Sequence, residues 1–468
     1  MSFPVPPLKE RANICAKRLV DADSVLLVSH IDADGLTSAG IGASLLKRSG
    51  INYTVQFAKQ LDEDRIRRIF DTNASCVLFT DFGSGQLETI ITYAEESSTT
   101  PIIADHHQPA DVEYKYHLNP LLEGIDGSKE LSGAGATYLL ARACSGDNRD
   151  LTPLAIVGAV GDMQMMDGEL VGANKQILKE GIERSVVGVS KDLAIYGKQT
   201  RPIHKLLEYG SDVYIPGISY NHKGVVDFLH QLDVTIQTNG RWPTWTELSK
   251  EQRQAIVSQL IQIALKRGVS TEKIDRLIGQ TYILSNEPEG TTLRDASEFS
   301  TLLNATARYG RGDVGLAVCL GNRNEALDQA KTLLNTHRRN LSEGLRWVKQ
   351  NGITKKDNLQ WFHAHDNIRE TIVGIIAGMA YSAENVDRSI PIIGFATKND
   401  TEIKVSSRAT SSLIQQGLDL SVIMETAAEQ VGGSGGGHNI AAGATIPDGQ
   451  EQSFLTIANQ LIDNQLSG

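Results

Sequence analysis

The chain has 468 residues, more than one ordinary hydrophobic core serves, so roughly two to four domains are expected. Its 45 Lys and Arg against 56 Asp and Glu give a net charge of −11, which excludes a protein that coats nucleic acid by bulk positive charge. Hydrophobic content of 40% with 22% charged residues excludes a disordered chain.

Residues 1–20 carry charges where a signal peptide needs an apolar stretch, and Cys15, Cys76, Cys144 and Cys319 form no paired motif. A cytoplasmic protein without a disulfide framework or zinc knuckle is expected. Val25–Ser29 is a short β-branched run followed by a glycine-containing turn, and Leu36–Lys47 has small and apolar residues at helical spacing. Tyr53–Ala58 reads as a second strand, Asp62–Phe70 as a charged amphipathic helix, Cys76–Thr80 as a third strand and Pro101–Ala104 as a fourth. This alternation predicts an α/β fold on a parallel sheet covered on both faces. Ligands bind such sheets beyond the carboxyl ends of the strands, so the residues there decide function.

Those positions are acidic or carry imidazole. His30, Asp32 and Asp34 follow the first strand, Asp81 the third, and Asp105, His106 and His107 the fourth. The apolar segment Ala155–Gly161 delivers Asp162 in the same manner, to the same sheet edge. Any one aspartate after a strand is ordinarily a helix cap or a turn former. Four such positions arriving together are not explained by capping. Crowded carboxylates repel, and a site of this kind is held open by cations. Oxygen and imidazole donors without thiolate suit manganese or magnesium, with zinc as a further candidate. Asp71, Asp111 and Asp126 lack this placement and read as solvated.

The set resembles the DHH phosphoesterase superfamily, named for its Asp-His-His signature. The resemblance implies two divalent cations, usually manganese. It assigns His30, Asp32 and Asp81 to one ion and Asp34, Asp81, His106 and Asp162 to the other, with Asp81 bridging. Asp105 would orient an imidazole, and His107 would face the substrate phosphate. Some relatives place the first histidine four residues ahead of the first aspartate. Here His30 stands two ahead of Asp32.

From about residue 187 the strand–helix rhythm stops. Residues 187–290 read as an inserted, mostly helical module, with a Trp242–Trp245 turn leading into a helix over Ser249–Arg267. Phe299–Arg308 and Asn324–Gln350 read as long linker helices, so the expected domains are 1–186, 187–290, 291–350 and 351–468. Asn304 and Arg308 stand four apart, and a solvated surface pair is the simpler reading. Lys331–Arg369 holds eight Lys or Arg against three acidic residues, a local surplus of five. Trp361 and Phe362 lie within it, an arrangement suited to stacking the bases of a single strand.

Ile403–Arg408 is strand-like and presents Ser406 and Arg408, the latter a fork donor suited to phosphate. Val431–His438 is the strongest glycine cluster. Glycine lets backbone N–H groups close on an anion, and His438 can donate to a phosphate oxygen, although flexible linkers have similar composition. Together these segments resemble the DHH-associated C-terminal domain. That resemblance gives Ser406, Arg408, Gly435, Gly436, Gly437 and His438 to substrate phosphates, and makes Asp105, His107, Arg408 and His438 the catalytic set. Glu298–Ala305 and Ile368–Gly378 resemble archaeal RecJ-like nucleases. This implies an α/β DHH domain, a smaller α/β C-terminal domain, an inserted helical module and a helical linker. It also implies a two-metal exonuclease, with Mn2+ or Mg2+, acting on single-stranded DNA or RNA in association with the GINS complex of the replicative helicase. The rival readings are a phosphoesterase for short oligonucleotides, cyclic dinucleotides or pyrophosphate, and a non-catalytic replisome scaffold.

Overall fold

After helix α1 (Lys9–Val20), five of the seven residues of β1 (Ser24–His30) are buried. A strand covered on both faces belongs inside a parallel sheet. The chain continues through α2 (Ala33–Arg48), β2 (Asn52–Ala58), α3 (Glu63–Phe70), β3 (Cys76–Thr80), α4 (Leu87–Ser97), β4 (Thr100–Ala104) and β5 (His117–Leu118). These five strands pair in parallel in the order β2-β1-β3-β4-β5. The chain passes from β1 to β2 on one side while β3 lies on the other. That switch opens a crevice at the carboxyl ends of β1 and β3. The computed structural model describes residues 3–210, 213–235, 240–381 and 386–466, and it divides into two units, Met1–Lys331 and Thr332–Gly468.

Two further helices, α5 (Gly133–Cys144) and α6 (Thr152–Gly161), pack on α2 and on each other. The segment Ala155–Gly161 was expected to arrive at the sheet edge as the strands do. It is helical instead, and seven of the ten residues of α6 are buried. Burial on all sides erases the amphipathic period that distinguishes a helix from a strand. A small hairpin of β6 (Met165–Met166) and β7 (Glu169–Leu170) and helix α7 (Gly172–Glu183) follow.

The module begins and ends in a two-stranded ribbon. β8 (Val187–Leu193) pairs antiparallel along its whole length with β9 (Ile278–Leu284), and between them lie α8 (Ile203–Tyr209), α9 (His222–Gln231), α10 (Lys250–Lys266) and α11 (Thr271–Asp275). The helices close over their own core around Trp245, whose indole N–H donates to Asp192 Oδ2 at 2.9 Å. Of the two expected linker helices, α12 (Ala296–Arg308) packs on α2 within the first unit, as does the unexpected α13 (Gly312–Cys319), and α14 (Glu325–Asn351) runs past that unit's limit.

The second unit holds β10 (Thr354–Lys355), β11 (Gln360–His363), α15 (Val373–Tyr381), β12 (Ile392–Asn399), β13 (Glu402–Arg408), α16 (Ser411–Gln415), α17 (Leu420–Gln430), β14 (Ser434–His438), β15 (Ala441–Pro447) and α18 (Glu451–Leu466). Its sheet runs β10-β11-β12-β13-β15-β14, parallel only between β11 and β12. Two expectations change here. The glycine run, whose composition matches a flexible linker, is an edge strand, with Gly437 at φ 137°, a backbone that side chains disfavour. Phe362 is buried, and the partly buried Trp361 makes an edge contact with Phe395 at 6.1 Å, so both pack on the core. Among the described residues no helix is long and apolar enough to cross a membrane.

Within the first unit, Arg142 donates from Nε and Nη2 to both oxygens of Glu180 at 2.9 Å, and the Tyr138 hydroxyl donates to the same carboxylate at 2.6 Å. All three groups are buried. Glu180→Ala strands the guanidinium and should lower stability by about 3–5 kcal/mol. Urea unfolding checks this, and an unchanged midpoint would contradict it.

Candidate metal centre

Each acidic side chain reaches the crevice by its own local device. Asp32 is the N-cap of α2, its Oδ1 accepting from Gly35 N at 2.9 Å while its Oδ2 lies 3.0 Å from His30 Nδ1. Asp34, in the first turn of α2, is held across the site by α5, accepting from Gly133 N at 2.7 Å and Ala134 N at 3.0 Å. Asp81 ends β3 with φ 62°, a left-handed conformation rare outside glycine. Strain of that kind persists where the surroundings demand the side chain's position. Asp162 caps the C-terminus of α6. It therefore comes from the helical layer and not from the sheet edge.

The surrounding backbone leaves no room for error. A Cβ on Gly158 would meet Asp34 Oδ1 at 2.3 Å, and one on Gly133 would meet Asp81 Oδ1 at 2.4 Å. Both helices thus approach the carboxylates as closely as bare backbone permits.

Around this point the side chains fall into groups whose ligand atoms lie within 4.8 Å of one another. One is His30, Asp32 and Asp81, and another is Asp34, His106 and Asp162. His106 Nε2 joins them, at 3.3 Å from Asp81 Oδ1 and 3.8 Å from both Asp34 Oδ2 and Asp162 Oδ2. Its other nitrogen, Nδ1, donates to Gly127 O at 2.6 Å. That hydrogen bond assigns Nδ1 as the donor and turns Nε2 toward the carboxylates, where loss of its proton leaves the lone pair a metal-binding imidazole requires. His30 Nδ1 and Asp81 Oδ2 are buried, make no well-formed hydrogen bond and face each other at 3.4 Å, with Asp32 Oδ2 3.0 Å from the same nitrogen. Orphaned donors of this chemistry, all oxygen and imidazole, fit a hard divalent cation on either side of Asp81.

A third grouping adds Asp105 and His107 to Asp81 and His106. Asp105 is otherwise engaged: it accepts from Ser84 N at 3.0 Å, His106 N at 2.7 Å and His107 Nδ1 at 2.8 Å. Its carboxylate holds the His107 ring, which is itself exposed to solvent. Behind them a buried network of Ser84, His117 and Asn119 ties down the loop carrying His107, with Asn119 Nδ2 donating to His107 O at 2.8 Å. Burial lowers His117 to about 4, so it stays neutral.

Two residues expected at the surface belong to this site. Asn304 on α12 accepts from Ala33 N at 3.0 Å through its Oδ1, capping the turn that bears Asp32 and Asp34. Arg308, one turn on, is largely buried. Burial pulls its pKa below the ordinary arginine value, and the Asp32 carboxylate opposes that pull. Helical spacing placed them on one face, but only tertiary packing shows that the face is covered. Gln164 was not singled out at all; it is buried beside Asp162 and donates to its Oδ2 at 2.8 Å. A lone amide among Met163, Met165 and Met166 was the only sequence signal for it.

In the second unit, register groups the phosphate candidates. Arg408 and His438 both pair with Ala441, and Ser406 and Gly436 both pair with Gly443. Paired residues share a face, so Ser406, Arg408, Gly436 and His438 lie on one side of the sheet. Gly435 and Gly437 alternate to the other side.

Three family profiles match: residues 24–160 the DHH family N-terminal domain, 195–278 the DHH-CID domain and 358–464 the DHHA1 domain. An uncharacterised protein of Methanocaldococcus jannaschii is 31% identical over 450 residues, 94% of each chain. The single-stranded-DNA-specific exonuclease RecJ of Bacillus subtilis is 26% identical over 192 residues, 39% of this chain and 24% of that protein. Among solved structures, RecJ of Thermus thermophilus in complex with Mn2+ has a TM-score of 0.61 at 16% identity, covering 99% of this chain and 56% of that one. CDC45 from Entamoeba histolytica has a TM-score of 0.65 at 10% identity, covering 97% of both. At those identities the structural likeness is one of fold.

Without cations the site holds protons instead. Burial works against a charged His30, yet Asp32 and Asp81 push it up to about 11, and Asp81 with the other carboxylates likewise raises His106. Burial raises Asp34, and it lifts Asp162 to about 6. His30, His106 and Asp34 are raised and hold protons that a cation must displace, while Asp162 gives its proton up as the pH passes 6. Mn2+ binding should therefore release protons, and its affinity should rise between pH 6 and 8 by roughly tenfold per proton released per pH unit. Calorimetry in buffers of different ionisation enthalpy reads the proton count, and binding without release would contradict the assignment.

Proposed function

The chain belongs to the DHH family, and on that footing we propose that it is a metal-dependent phosphodiesterase, an exonuclease of single-stranded DNA or RNA. The observation that carries this reading is the pair of donor groups that meet at Asp81. His30, Asp32 and Asp81 would hold one cation and Asp34, Asp81, His106 and Asp162 the second, Mn2+ or Mg2+. Bound divalent cations supply Lewis acidity toward a phosphoryl oxygen and make water acidic enough to furnish a nucleophile.

The chain's own residues supply orientation and charge. Asp105 accepts from Nδ1 of the exposed His107 ring and raises its pKa, and the ring in its charged form keeps an Nε2–H to donate to a phosphate oxygen. Ser406, Arg408 and His438, with the glycine strand beside them, act as the phosphate grip of the second unit. A donor set without gaps supports an enzyme over a scaffold. The surplus of positive charge over Lys331–Arg369 supports a polynucleotide over a small phosphate ester. That support rests on charge alone, since Trp361 and Phe362 are committed to the core. Association with the replisome through GINS belongs to the same proposal, and the fold shared with CDC45 is compatible with it.

The test compares hydrolysis of pyrophosphate, a dinucleotide and a single-stranded 20-mer, with Mn2+ and with chelator. The wild type should degrade the 20-mer only with metal, and Asp81→Ala or Asp162→Ala should lower the rate by more than about a hundredfold. Near-wild-type rates in either variant would refute the metal assignment. Turnover of the small substrates alone would transfer the protein to the small-phosphoester reading, and no turnover of any would favour the scaffold.

A further inference from the structure

The hairpin after α6 holds a buried amide in an unusual position. Gln164 sits between two candidate metal ligands that come from different parts of the chain, and only 1% of it is exposed. Its Nε2 donates to Asp162 Oδ2 at 2.8 Å and to Gly127 O at 2.9 Å. The same Gly127 carbonyl accepts the Nδ1 proton of His106 at 2.6 Å. Its Oε1 accepts from Asn174 Nδ2 at 2.6 Å, and Asn174 is itself buried. Turning the amide over would set oxygen against the Asp162 carboxylate and the Gly127 carbonyl, and nitrogen against nitrogen at Asn174. Only one orientation is allowed.

The backbone shows what this arrangement demands. Asp162 and Gln164 both point inward, so the residue between them is forced out: Met163 has φ 58° and is 86% exposed. A left-handed methionine displayed to solvent is unfavourable on both counts. The neighbouring inward-facing groups offset it.

We infer that Gln164 is a positioning residue of the metal centre, clamping the Asp162 carboxylate and the carbonyl that sets the His106 tautomer, so that one amide aligns two ligands of the same cation. The inference rests on the two-metal reading of the site. Asp162 is the least enclosed of the three carboxylates, its side chain 33% exposed against 2% for Asp34 and for Asp81. Among the described residues no backbone N–H holds it as Gly133 and Ala134 hold Asp34. The clamp matters most where the carboxylate is otherwise freest to rotate.

Two variants test the role. Gln164→Leu removes both donors at similar volume. Gln164→Glu keeps the shape and presents a carboxylate oxygen to Asp162 and Gly127 O. Mn2+ binding is followed by calorimetry, and by electron paramagnetic resonance for the coupling between neighbouring ions. Metal-free unfolding of each variant is measured in parallel. Wild type should bind two Mn2+ with a coupled signal. In either variant one of the two should weaken about 10- to 100-fold and the coupling should disappear at limiting metal, while the other ion keeps its affinity. If Gln164→Leu fails to fold, the isosteric Gln164→Glu carries the comparison. Two ions bound at wild-type affinity in a folded variant would overturn the inference and leave the metal reading standing. A wild type that binds no Mn2+ would overturn the metal reading, and the inference with it.

Discussion

Asp34, Asp81 and Asp162 converge on one imidazole, and three carboxylates cannot remain charged around a shared, largely buried point without positive charge among them. Protons can supply it, and His30, His106, Asp34 and Asp162 are all pushed toward their protonated forms. Divalent cations supply it with better geometry, because each can accept several oxygens at once. Much of the first unit serves to hold this repulsive arrangement together. The α5 N–H groups grip Asp34, bare glycine backbone lets the helices close on Asp34 and Asp81, and the left-handed turn at Asp81 aims it inward.

The two units divide the labour by type of interaction. The first gathers negative and imidazole donors, a set suited to cations. The second aligns Arg408 and His438 in one register row and Ser406 beside them, donors suited to an anion. An acidic chain with a net charge of −11 is thereby compatible with a phosphate substrate. Part of the acidity is the donor cluster proposed to hold cations, and the basic residues are locally concentrated.

Much of this was legible in the residues. Short β-branched runs ending in Asp or His fixed the strands and located the site, because a covered parallel sheet leaves few other ways to read them. Where the local pattern was ambiguous, the reading failed for identifiable reasons. A segment buried on every side has no hydrophobic period, so α6 looked like one more strand delivering Asp162. β8 and β9 are separated by the whole module, and a pairing between distant segments leaves no local signature. The glycine strand contradicts β propensity and persists because β15 supplies its ladder. Arg308 and Trp361 show the same limit in opposite senses: Arg308, read as solvated, is largely buried near Asp32, and Trp361, read as a stacking surface, packs on the core. Gln164 was overlooked because an uncharged amide carries no chemistry of its own.

The claim on which everything else depends is that two cations share Asp81. Anomalous diffraction at the manganese edge from crystals equilibrated with Mn2+ tests it most directly. The account predicts two peaks roughly 3.5–4 Å apart, one beside His30 and Asp32, the other beside Asp34, His106 and Asp162. A single peak away from Asp81, or none at saturating Mn2+, would contradict it.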